Sequence, residues 1–318
     1  MTRGKRNQAP NLDVRLLREG IVESTHRVQA ALCDCRGRVL SVAGNSETST
    51  FIRSGLKPFQ ALAVITTGTL EHYNLNDRDL AIMCSSHQGR LEQVRQVFKI
   101  LWRCDVDPSM LQCPTPPGKQ SPLEYNCSGK HAGMLAVCKQ RQWPTNSYLQ
   151  YNHPIQKLIL SQVAELMRIP PDELILAHDD CGAPTYFIQL GQIASLYAQL
   201  ASGDNLAMER IIRAMTHHPT LVAGEGAFDT KLMQLTEGEL VSKAGAEGIQ
   251  CIGRVGAGLG MAIKVMDGAK RAKYAVAIQL LKQMGWITPS VAETLAESFM
   301  HFGDFKRLEV IGELSMVL

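Results

Sequence analysis

The sequence predicts an α/β protein: an αβα sandwich whose mixed or antiparallel sheet is built from both chain ends and flanked by helices. Three observations carry this. Strand-like runs occur near residue 30 and again between residues 231 and 266, with helical patterns filling the middle. The chain has 318 residues, enough for one large core or two closely packed ones. Its composition, 45% hydrophobic and 20% charged, is that of a globular protein, without repeats or low-complexity tracts.

Residues 1–11 read as a flexible N-terminal arm. Residues 12–318 read as one domain, or as two closely packed subdomains with a helical middle over about 58–225. Val28–Asp34 and Arg38–Ala43 form two strands about the turn Cys35-Arg36-Gly37. A helix follows from about Pro58 to His72, with Pro58 tolerated in its first turn. Another fits Leu91–Trp102, and Pro108–Gln120 is a loop. Further helices fit Pro154–Met167, Phe187–Ala201, Leu206–Met215 and Lys270–Met284, with a shorter one near Val291–His301. Lys231–Leu235, Leu240–Ala244, Ile249–Ile252 and Met261–Met266 read as late strands. Gly253–Gly260 lacks the strand–loop–helix setting of a phosphate loop and reads as a hairpin connection.

Several function classes are set aside. A net charge of +3 gives no footprint for nucleic acid or an acidic membrane surface. No run of about 18 apolar residues and no secretory h-region occurs, so no membrane span or export is expected. Nine cysteines are an odd number in a long chain, which argues for buried thiols in a reducing, cytoplasmic compartment.

The chemistry starts at Arg53-Ser54-Gly55-Leu56-Lys57-Pro58-Phe59. On a helix, Ser54 and Lys57 share one face. Ser54 is expected at or near the N-cap, where the backbone dipole favours a forming alkoxide. Ser-Lys is a known variant of the nucleophile–base pair. The pattern is common by chance, and its bland reading is a capping serine beside a solvated lysine. Two later segments weigh against that. Lys243-Ala244-Gly245 ends a late strand, as the third element of the β-lactamase and penicillin-binding pattern does. Asn126-Cys127-Ser128-Gly129-Lys130-His131 lies between them in order.

Taken together, these segments resemble the Rhizobium-type, or type III (thermolabile-like), L-asparaginases. The match includes Glu23-Ser24-Thr25-His26, Arg53–Gln60, Cys84-Ser85-Ser86-His87, Asn126–Leu135, Asp179–Pro184, His218-Pro219, Lys243–Gly248 and Lys264–Gly268. The resemblance implies a serine β-lactamase- and glutaminase-like fold, a homodimer, and hydrolysis of L-asparagine to L-aspartate and ammonia. It implies two Ser-Lys tandems: Ser54 with Lys57, Ser54 being the nucleophile, and Ser86 with Lys243. It places Arg53 and Asp179 against the substrate, and a zinc ion of structural or modulatory role on Cys127, Lys130 and Cys181. Lysine is an unusual zinc ligand, and spacing alone would favour His131.

These residue types suit amide hydrolysis. It needs a nucleophile, a proton acceptor, a proton donor for ammonia and a site for the oxyanion. Arg53 can hold a carboxylate bidentately, and Asp179 supplies the charge an ammonium group needs. His217-His218-Pro219 reads as a helix end, and His153 and His178 show no evident partner. Glu23 and His26 are as well explained by packing as by chemistry. The chain departs from rhizobial members at Asp229, where those have cysteine, and at Arg90, where they have an acid. Rival readings are the same chemistry on glutamine or another amide, and a non-catalytic zinc or thiol module around Cys127 and Cys181.

Overall fold

The computed structural model describes residues 8–317. In chain order the elements are β1 (Leu12–Arg18), β2 (Ile21–Asp34), β3 (Val39–Ala43), β4 (Ser49–Phe51), α1 (Lys57–Thr66), α2 (Thr69–His72), α3 (Asp77–Met83), α4 (Leu91–Arg103), α5 (Ser128–Gln140), α6 (Pro154–Met167), β5 (Ile175–His178) and β6 (Pro184–Gln189). They continue with α7 (Leu190–Leu200), α8 (Leu206–His217), α9 (Pro219–Ala223), α10 (Phe228–Leu235), β7 (Leu240–Ala244), β8 (Ile249–Arg254), β9 (Leu259–Val265), α11 (Lys270–Gln283), α12 (Pro289–Phe299), β10 (Lys306–Ile311) and β11 (Ser315–Met316). The chain divides into two compact units. The sheet unit takes in the chain up to Gly55, Ile188–Asp204, and the chain from Lys231 onward. The helical unit is Leu56–Phe187 with Asn205–Thr230.

The sheet unit holds one antiparallel sheet whose main path runs β10-β1-β2-β9-β8-β7. β2 is long enough to pair β1 with its first half and β3 with its second, while β9 covers its other edge from Val28↔Val265 to Asp34↔Leu259. β8 and β9 are buried almost throughout, the pattern of strands covered on both faces. Helix α7 lies directly on the sheet. A Cβ at Gly260 would sit 2.2 Å from the Ala194 carbonyl oxygen, so only glycine allows this approach. α11 packs against the same sheet, completing the helical cover.

In the helical unit α5 is central, packed by α1, α3, α4 and α6. All its residues from Ser128 to Cys138 are buried. Gly129 abuts the end of α3, where an added Cβ would lie 1.9 Å from Ile82 O. β5 and β6 form an antiparallel pair from Ile175↔Phe187 to His178↔Pro184.

Several expectations are corrected. Lys231–Leu235 is not a strand but the end of α10, since a short apolar run fits either state. The helix expected over 58–72 breaks at Gly68, whose φ is 72°, into α1 and α2. The part of the N-terminal arm within the described residues is ordered: Ala9 N–H bonds Gly44 O at 2.8 Å, and β1 begins at Leu12. Residues 1–7 of that arm lie outside the described residues. His153 does have partners, accepting from Ile155 N–H and donating to Pro144 O, and His178 bonds the Tyr151 hydroxyl. Among the described residues no helix is long and apolar enough to cross a membrane.

Candidate active site

In the helical unit, Lys57 is fully buried as the first residue of α1. Pro58 follows it, where a missing N–H costs nothing. The bland expectation of a solvated lysine is therefore wrong. Lys57 Nζ donates to Ser85 O at 2.5 Å, to Ser86 Oγ at 3.0 Å and to Asn126 O at 3.4 Å. Ser85 and Ser86 follow the end of α3, and Asn126 precedes α5. One amine thus bridges two loops. Ser86 is itself placed by its N–H, which bonds Val222 O in α9 at 2.8 Å.

His87 joins the same two loops. Its Nδ1 accepts from Gly89 N–H at 3.0 Å, so the ring proton sits on Nε2, which donates to Ser128 Oγ at 2.8 Å. Burial, with Lys57 nearby, pushes the imidazole down to about 3, so the ring is neutral at ordinary pH. In the sequence His87 only ends the Cys84-Ser85-Ser86-His87 motif, which assigns it no role.

The second cluster of this unit contains Cys127, Lys130, Asp179 and Cys181. Lys130 Nζ lies 3.9 Å from Asp179 Oδ2, and both side chains are buried. Burial disfavours the Lys130 ammonium, but the facing Cys181 and Cys127 and Asp179 outweigh it and raise its pKa above the lysine range. The two thiols hydrogen-bond each other, and the pair loses its first proton from Cys181. Cys127 donates that bond and holds Cys181 down to about 5 against burial, with Lys130 adding to the effect. The same Cys127 thiol also has Asn126 Oδ1 at 2.8 Å as an acceptor, so two acceptors share its proton. Among the described residues no group of three or more His, Cys, Asp or Glu is arranged for a metal. The donors that do converge are two soft sulfurs and one amine, so a zinc ion fits this set only with the lysine nitrogen as a ligand. His131, the alternative from spacing, turns elsewhere: its Nδ1 is 2.7 Å from the Tyr148 hydroxyl.

In the sheet unit, Ser54 lies in a 3-10 turn, Arg53–Leu56, which follows β4. It does not cap α1; the N-cap is Leu56, without a side-chain bond. The turn tightens because Arg53 adopts φ 52°, the left-handed region, which is strained for a residue with a side chain. Tyr197 Oη clamps the turn by donating to Gly55 O at 2.8 Å. A Cβ on Gly55 would press on Cys251 Sγ at 3.0 Å, so glycine lets the turn seat on β8. Lys243 is fully buried in β7, paired with Cys251, and its Nζ donates to Ala244 O at 2.8 Å. Asp229 is buried at the start of α10, in the helical unit. Arg90 ion-pairs with Glu225 at the surface, at 2.8 Å.

No curated protein matches the chain by sequence. Among solved structures, the native form of Mglu is similar, with 12% identity, a TM-score of 0.50, and coverage of 82% of this chain and 65% of that one. Another Mglu structure gives 15% identity and a TM-score of 0.46 over 81% of this chain and 67% of that one. A beta-lactamase from Mycobacterium bovis gives 12% identity and a TM-score of 0.37 over 86% and 95%. The chain spans about two thirds of the length of Mglu, and at 12% identity the likeness to its native form bears on the fold alone. A family model described as L-asparaginase II matches residues 14–316, and the chain therefore belongs to the L-asparaginase II family of amidohydrolases.

Proposed function

We propose that this protein hydrolyses L-asparagine to L-aspartate and ammonia through an acyl-enzyme on Ser54. The observation that carries the reading is the fully buried Lys57 amine, hydrogen-bonded to Ser86 Oγ and two main-chain carbonyls, in a chain of amidohydrolase family. A lysine is rarely buried without an anionic partner unless its amine has work to do.

In this mechanism Ser54 Oγ attacks the side-chain amide carbon while Lys57, as the free amine, takes the hydroxyl proton. Collapse of the tetrahedral intermediate returns a proton to the departing nitrogen, giving ammonia and the Ser54 ester. Water then attacks the ester, and Lys57 accepts its proton and hands one back to Ser54. Ser86, with Lys243 as its tandem partner, relays protons and holds the nucleophile's register. Arg53 binds the α-carboxylate and Asp179 the α-ammonium. A zinc ion on Cys127, Lys130 and Cys181 would order the loop before α5 rather than enter these steps. The active form is a homodimer, which light scattering checks.

The test is coupled ammonia release from asparagine and glutamine, with and without chelator. Asparagine should be the better substrate, and Ser54→Ala should lower turnover by about 10³-fold or more. Turnover of neither amide, or an active Ser54→Ala variant, overturns the reading.

A further inference from the structure

We infer that His87 is a positioning residue that holds Ser86 and the Lys57 amine in working geometry by bolting the Ser85–Gly89 loop to the first turn of α5. The inference rests on the reading of Lys57 and Ser86 given above.

Lys57 depends on acceptors that other bonds must hold in place. Its three acceptors come from two segments, Ser85-Ser86 and Asn126, which are 40 or more residues apart in sequence. An amine cannot keep both segments at hydrogen-bonding distance by itself, because each contact adds little net free energy against the entropy of ordering two loops. The segments are tied to each other by other bonds. His87 N–H donates to Asn126 O at 3.2 Å, so this carbonyl serves both His87 and Lys57. The imidazole then spans the gap. Gly89 N–H donates to Nδ1, Nε2 donates to Ser128 Oγ, and Ser128 Oγ donates to Leu123 O at 2.8 Å. Every donor in this chain has one acceptor, and the direction of the proton on each atom is fixed.

The geometry admits no slack. His87 and Ser128 are buried, at 3% and 0% exposure. A Cβ on Gly89 would lie 2.7 Å from Glu124 O, so the loop already touches the segment it is bolted to. The burial that keeps the ring neutral also keeps the Nδ1 acceptor available. Ser86 is the residue immediately before the bolt. A shift of His87 moves Ser86 Oγ directly, and a displacement of about 1 Å in a catalytic group can lower turnover about 10²-fold.

Substitutions can separate the two ends of the imidazole. The amide nitrogen of glutamine reaches about as far as Nε2, and the amide oxygen of asparagine stands about where Nδ1 does. His87→Gln should therefore keep the bond to Ser128, and His87→Asn should keep only the bond from Gly89. The experiment measures kcat and KM for asparagine, with thermal melting, on wild type, His87→Asn, His87→Gln, Ser128→Ala and Ser54→Ala. The expected result is a kcat loss of about tenfold or more for His87→Asn and Ser128→Ala, with KM little changed and the fold intact. His87→Gln should recover most of that kcat. The inference is overturned if His87→Asn turns over like wild type, if His87→Gln is no better than His87→Asn, or if the losses track melting alone. An inactive wild type, or an active Ser54→Ala, instead overturns the assignment of the nucleophile.

Discussion

The helical unit buries two lysines in different company. Lys57 is met by a hydroxyl and two main-chain carbonyls, all neutral acceptors. Lys130 is met by a thiol pair and the Asp179 carboxylate, which hold its charge in place. Among the described residues no carboxylate pairs with the Lys57 amine. Loss of the Lys130 proton would strand a carboxylate and a thiolate in the interior, which is strongly unfavourable. The difference teaches that burial alone does not mark a base; the charge of the surrounding groups separates the amine proposed as the base from the one held as an ion.

The largest effect that tests this contrast is on turnover. Lys57→Met should lower kcat for asparagine by about 10²–10⁴-fold, the range for loss of a general base. Lys130→Met should lose far less activity and more stability, about 3–5 kcal/mol by chemical denaturation, because it strips a buried pair of one partner. Equal losses of kcat in the two variants would break the contrast.

A smaller effect concerns pH. His87 is held at about 3 against an ordinary 6.5, so between these values the unfolded chain binds a proton that the fold refuses. Stability from this source is complete above about 6.5 and falls as the pH drops toward 3, at about 1.4 kcal/mol per pH unit. Urea midpoints at pH 7 and pH 5 should show wild type losing about 2 kcal/mol more than His87→Gln. A parallel response of the two proteins would contradict a neutral His87.

The smallest effect belongs to the surface. Arg90 and Glu225 are 56% and 79% exposed, so their ion pair contributes about 1 kcal/mol at most. Arg90→Glu, which reverses this charge, should leave melting and kcat nearly unchanged. A KM shift beyond about fivefold, the equivalent of 1 kcal/mol, would give Arg90 a part in substrate selection.

What was legible in the sequence follows from local physics. Pro154–Met167 and Leu240–Ala244 were read with the bounds they have, because proline, turn residues and periodicity agree there. Helix α5 is not legible in the sequence, since it is buried from Ser128 to Cys138 and carries no polar face for periodicity to detect. β1 and β10 are not legible because their mutual pairing joins opposite ends of the chain, which local pattern does not encode. At the site, the Ser-x-x-Lys spacing was visible, whereas the turn around Ser54 was not. Its 3-10 form depends on the Arg53 backbone and the Tyr197 clamp, which spacing does not encode. The bond from Lys57 to Ser86 likewise joins residues whose nearness is a property of packing.

The pairing of β2 with β9 has a consequence for how the molecule is made. Val28 waits on a ribosome for Val265, and the sheet stays open at that edge while more than two hundred residues are synthesised. The helical unit lies wholly within that intervening span and can form first, whereas closure of the sheet requires a long loop to be ordered. Folding should therefore be slow at the last step, and the exposed edge of β2 is where a nascent chain would be caught by a chaperone or by another copy of itself.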